Sequence, residues 1–160
     1  MNCLSRNNNV ALFATKKVDV LIVGTSGSGK TTVFNRIKEK EGGIIQYYVR
    51  EVGESMAGIL REGRFDARIL AFVVDSSDMN MISEAKMLLS GILEHILSSE
   101  VFILVLANKQ DKEGCMDIPE IVRNLQLDML VNWRIHIQQC SAVNGEGIFE
   151  GLQSIYNKED

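Results

Sequence analysis

Gly24-Thr25-Ser26-Gly27-Ser28-Gly29-Lys30-Thr31 is a phosphate-binding loop, and Thr32 continues it into a helix-prone stretch. Its glycines let the backbone curl so that successive N–H groups face phosphate oxygens. Lys30 reaches the terminal phosphates, and the Thr31 hydroxyl is a hard oxygen donor suited to Mg²⁺. An apolar run at 18–23 precedes the loop, which is the strand-loop-helix context the chemistry requires. A second motif, Asn108-Lys109-Gln110-Asp111, ends the apolar run 101–107. A carboxylate at Asp111 accepts from guanine N1–H and the 2-amino group; adenine offers neither, so a buried Asp111 would be left unpaired and would reject it. Asn108 would tie this loop to the phosphate loop, and the Lys109 stem would cover the base face. Cys140-Ser141-Ala142 follows a further strand-like run and would present the Ala142 N–H to guanine O6.

The elements that must position these loops alternate. Strands are expected near 18–23, 45–52, 69–75, 101–107 and 134–140, with helices at 31–40, 118–126 and 147–157. Met81, Ile82, Ala85, Leu88, Leu89, Ile92 and Ile96 recur at helical spacing, a long helix with one buried stripe whose methionines read as core filling. Asp117 with Glu120 has the spacing of a capping box, and Pro119 suits a first turn. Short apolar runs between amphipathic stretches predict an α/β fold: a mostly parallel five-stranded sheet with helices on both faces.

The bulk numbers fit one such domain. The chain has 160 residues, 46% hydrophobic and 24% charged, enough for a core of its own. A net charge of −4 provides no basic field for nucleic acid. Three cysteines, Cys3, Cys115 and Cys140, lack metal-ligand spacing and suit a reducing, cytoplasmic compartment. No apolar run approaches the ~20 residues of a membrane span, and no signal-peptide core is evident. His95, on the long helix, and His136, in a strand, lie far apart in sequence and read as structural; Trp133 reads as a packing or surface-loop aromatic. Leu89-Ser90-Gly91 is superficially similar to the signature of transporter ATPases, but it falls in a helix and lacks the rest of that motif.

The sequence resembles a small GTPase of the Ras superfamily, specifically the ADP-ribosylation factor (Arf) and Arf-like family. The likeness covers residues 11–157. It is carried by the three motifs above with Leu12-Phe13, Lys16-Lys17, Phe72-Val73-Val74-Asp75-Ser76-Ser77-Asp78, Asn132-Trp133, Gly145-Glu146-Gly147 and Glu150-Gly151-Leu152. It implies a P-loop NTPase fold, with residues 1–17 as an N-terminal tail and 18–157 as the guanine-nucleotide-binding domain. It also implies GTP/GDP and Mg²⁺ as cofactors, an exchange factor and protein effectors as partners, a monomer, and a role in intracellular membrane traffic with at most peripheral membrane contact.

The departures cluster at the γ-phosphate. No Thr or Ser occurs in 33–52, so the family's switch hydroxyl is missing, and the stretch is too short for the usual switch loop and edge strand. The family's Asp-Val-Gly-Gly-Gln is matched by Glu51-Val52-Gly53-Glu54-Ser55. Glu51 thus stands for the carboxylate at the metal, Gly53 remains at the nucleotide, Glu54 replaces a glycine whose N–H approaches the γ-phosphate, and Ser55 takes the place of the catalytic glutamine. No glutamine lies between Gln46 and Gln110 to substitute for it. These changes predict slow hydrolysis. They leave a second class open, a GDP-stabilised interaction module that does not switch, and a third, loss of the segment by splicing or in the gene model. Asn2 excludes N-myristoylation; Arg6, Lys16, Lys17 and Cys3 leave the tail as solvated chain or a weak acylation site.

Overall fold

A computed structural model describes residues 16–40, 45–51, 67–96 and 100–158. Within them the order is β1 (Lys16–Gly24), α1 (Lys30–Glu39), β2 (Ile45–Glu51), β3 (Ile69–Asp75), α2 (Ile82–Leu93), β4 (Phe102–Asn108), α3 (Ile118–Leu125), a 3₁₀ turn Leu127–Met129, β5 (Arg134–Gln139) and α4 (Ile148–Tyr156). The five strands form one sheet in the order β2-β1-β3-β4-β5, and every pairing is parallel. The family-like edge strand has no room between α1 and β2, because Ile45 opens β2 so soon after Glu39 closes α1.

Alternation along the strands builds two cores. Leu21, Val23, Leu70, Phe72, Ile103 and Val105 face α2 and α3, whereas Val20, Ile22, Ile69, Ala71, Leu104 and Leu106 face α1 and α4. Burial on both faces explains why β3 and β4 read as unbroken apolar runs rather than alternating ones. Asp117 accepts from the Glu120 N–H and Glu120 accepts from the Asp117 N–H, both at 2.8 Å, so the expected capping box starts α3.

Three local expectations need correction. β1 begins at Lys16, so Lys16 and Lys17 belong to the sheet; their ammonium groups sit over the rings of Tyr156 and Tyr48, which lets exposed lysines extend the ladder. The buried stripe of α2 is as expected, but Met87 is 76% exposed and fills no core. The helix closes at Leu93, which leaves His95 in the following turn with Nδ1 2.8 Å from the Gly91 carbonyl oxygen. Gly53, Glu54, Ser55, Cys3 and residues 1–15 lie outside the described residues.

Candidate functional site

In a parallel sheet the chain enters its loops at one edge, so the C-terminal ends of β1, β3, β4 and β5 bring Gly24, Asp75, Asn108 and Ser141 to the same rim. The chain leaves β1 for β2 on one side and returns to β3 on the other. This is the switch point at which open α/β sheets bind ligands.

The loop 24–29 hugs that rim. Gly29 precedes α1 with φ +98°, where a Cβ would lie 2.3 Å from Asn108 Nδ2. Gly27 has φ +70° and faces open space. No side chain caps α1 and no acid lies in its first turn, so its leading N–H groups and dipole are left for an anion. Lys30 is buried and its Nζ donates to the Thr25 carbonyl at 2.7 Å, which folds the side chain back along the loop. The Ser28 Oγ is buried without a partner among the described residues.

Asn108 joins the three loops. It is 2% exposed; its Nδ2 donates to the Ser28 carbonyl and its Oδ1 accepts from the Ala142 N–H, each at 2.9 Å. The tie to the phosphate loop is the one expected from the sequence. The second bond was not foreseen: the Ala142 N–H, read as a donor to guanine O6, is engaged by Asn108. Asp111 is exposed rather than buried, and its Oδ1 accepts from Ser141 Oγ at 2.7 Å. Water can therefore solvate that carboxylate.

Lys109 adopts φ +68° and its Nζ pairs with Asp75 Oδ2 at 2.6 Å. Burial alone would raise the Asp75 pKa. Hydrogen bonds from Lys109 and Ser77 overcome that and hold it below the usual carboxylate range. The pin fixes where the lysine stem runs. Asp75 was not singled out from the sequence because its partner lies 34 residues away.

Thr31 and Glu51 come together from different elements. Thr31 Oγ1 donates to Glu51 Oε1 at 2.8 Å across the exposed mouth of the site. One hydroxyl and one carboxylate, both hard oxygen donors, suit Mg²⁺, which takes few protein ligands and completes its shell with water and phosphate oxygens. Among the described residues no cluster of three or more His, Cys, Asp or Glu forms an all-protein metal cage. The buried thiol of Cys140 is pushed up to about 12 by desolvation, so it stays protonated and structural.

Comparison with known proteins gives the family. The model of the ADP-ribosylation factor family matches residues 64–159. ADP-ribosylation factor F of Dictyostelium discoideum is 31% identical, over 92% of this chain and 89% of its own length. ADP-ribosylation factor K of the same organism is 30% identical, over 94% and 90%. The chain belongs to the ADP-ribosylation factor family. As an Arf-family protein it has the α/β P-loop GTPase fold, and in it the loops at 24–29, 108–111 and 141–142 are joined by hydrogen bonds of Asn108 and Ser141. No helix among the described residues of this Arf-family chain is long and apolar enough to cross a membrane.

Proposed function

We propose that this Arf-family protein binds GDP and GTP through 24–32, Gly53, 108–111 and 141–142, and that it is a slow GTPase acting in intracellular membrane traffic as a monomer with at most peripheral membrane contact. The observation that supports this best is Asn108, whose buried amide bonds both the phosphate loop and the Ser141-Ala142 loop and so holds together the two loops that one nucleotide would span.

Within that reading the α1 N-terminus and Lys30 take the phosphates, Asp111 takes the guanine N1–H and 2-amino group, and the Lys109 stem lies along the base. Thr31 and Glu51 would hold Mg²⁺, which would supply neutralisation of phosphate charge. Phosphoryl transfer to water depends on positioning and electrostatics, and this chain has no switch hydroxyl in 33–52 and no glutamine at position 55. By the family's pattern the glutamate at position 54 stands in for a glycine whose N–H approaches the γ-phosphate, and like charges a few ångströms apart would repel by several kcal/mol at an effective dielectric of ~20. The same residues support a second reading, a GDP-stabilised module whose partner surface does not respond to the γ-phosphate.

Calorimetric titration of GDP into the parent, Lys30→Ala and Asp111→Asn tests nucleotide binding. The parent binds, Lys30→Ala does not, and Asp111→Asn is weakened by ~10² or more, since a site built for a hydrogen bond loses heavily when the pairing fails. A parent that releases no heat and shows no thermal shift with GDP would mean that the loop is vestigial.

A further inference from the structure

The loop 141–145 is gripped from two sides, and only one of them belongs to the nucleotide motifs. On the sheet side Ser141 Oγ holds Asp111, and the Ala142 N–H holds Asn108. On the other side stands Arg36, six residues along α1 from Lys30 and half-buried. Its Nε donates to the Ala142 carbonyl at 2.9 Å, and one terminal nitrogen donates to the Val143 carbonyl. The guanidinium fork thus captures two successive carbonyls 106 and 107 residues away in sequence. Gly145, at φ +80°, leaves room for it: even a Cβ there would stand 3.7 Å from the guanidinium carbon. The turn is closed by the Gly145 N–H on the Ser141 carbonyl at 2.7 Å.

We infer that Arg36 is a positioning residue for the base, acting through the Ala142–Val143 and Val143–Asn144 peptides. The inference rests on the guanine reading above. A carbonyl that accepts from a cation polarises its own peptide, so the N–H groups of Val143 and Asn144 become better donors. The Asn144 N–H is turned to Ser141 Oγ at 3.3 Å. That of Val143 has no acceptor among the described residues, and with the Ala142 N–H engaged by Asn108 it is the next amide able to meet guanine O6. Because Lys30 and Arg36 ride on one rigid helix, the distance between the phosphate grip and the base loop is set by α1 itself, about 9 Å of rise at 1.5 Å per residue. Among the described residues Arg36 forms no ion pair, so its charge is directed at the loop rather than at a carboxylate.

The test compares GDP, IDP and ADP affinities in the parent, Arg36→Ala and Arg36→Lys, with amide hydrogen exchange across 141–146. IDP keeps the O6 acceptor and lacks the 2-amino group. Arg36→Ala should raise the dissociation constants for GDP and IDP together about tenfold, the scale of one charge-assisted hydrogen bond. It should leave ADP unchanged and speed exchange at Val143 and Asn144 while 108–111 stays protected. Arg36→Lys, which can reach one carbonyl but not fork across two, should fall between. Equal losses for all three nucleotides, or unchanged exchange in the loop, would overturn the inference. A parent indifferent between GDP and ADP would instead strike the guanine reading at its base and remove the role assigned to Arg36 with it.

Discussion

Thr31 Oγ1 and Glu51 Oε1 are 2.8 Å apart, joining the first turn of α1 to the last residue of β2. The family pattern has an aspartate at the position of Glu51. The longer side chain still reaches the hydroxyl, so the hard-oxygen pair survives the substitution.

This pairing makes Glu51→Gln informative. Glutamine keeps an acceptor for Thr31 but removes the charge a divalent cation needs. GDP release measured in Mg²⁺ and in chelator should differ in the parent, and in Glu51→Gln the difference should shrink by roughly tenfold or to nothing, about 1.4 kcal/mol. An unchanged Mg²⁺ response would place the cation elsewhere.

Asn108→Ala removes a side chain that satisfies two buried backbone groups, the Ser28 carbonyl and the Ala142 N–H. Leaving each unpaired costs about 1–3 kcal/mol. Chemical denaturation without nucleotide should show a loss of about 2–6 kcal/mol for the two groups together, with GDP binding lost as well. Full stability with GDP binding gone would mean that the loops relax and find other partners.

His136 provides a pH signature. Burial in β5, with Lys158 nearby, lowers its pKa below 6.5 against a weaker opposing hydrogen bond to Gln138, and its Nε2 is buried without a partner among the described residues. The unfolded chain therefore binds a proton before the folded one does. Stability from this site is complete above the unfolded value and declines as pH falls from 6.5 towards the folded pKa. Melting temperatures of parent and His136→Phe should diverge in slope over that window, the variant being flatter; parallel slopes would contradict the assignment.

The fold was legible where one physical signal dominated. β3 and β4 are buried on both faces and announce themselves as apolar runs, and the Asp117-Pro119-Glu120 cap fixes α3 within a residue. The phosphate loop was legible because glycine backbone chemistry is local: Gly27 and Gly29 adopt φ +70° and +98°, a region that favours glycine. Long-range partners left no such mark. Arg36 sits on an ordinary amphipathic helix, and nothing nearby points to carbonyls beyond position 140. Asp75 reads as the end of a strand until Lys109 is placed against it. The rejection of adenine read for Asp111 assumes a buried carboxylate, and motif chemistry alone does not report burial: Asp111 stands exposed. Met87 shows the limit of residue type as a guide, since a methionine off the a/d-like stripe is simply exposed.

The central claim is a base and β-phosphate site kept while the γ-phosphate sensor is lost, and equilibrium competition among GDP, a non-hydrolysable GTP analogue and ADP in Mg²⁺ tests it most directly. The account predicts that GDP binds at least as tightly as the GTP analogue and that ADP is much the weakest, because switch ordering around the γ-phosphate is what normally rewards GTP and its parts are missing here. A tenfold preference for the GTP analogue, about 1.4 kcal/mol in its favour, or equal binding of ADP and GDP, would contradict it.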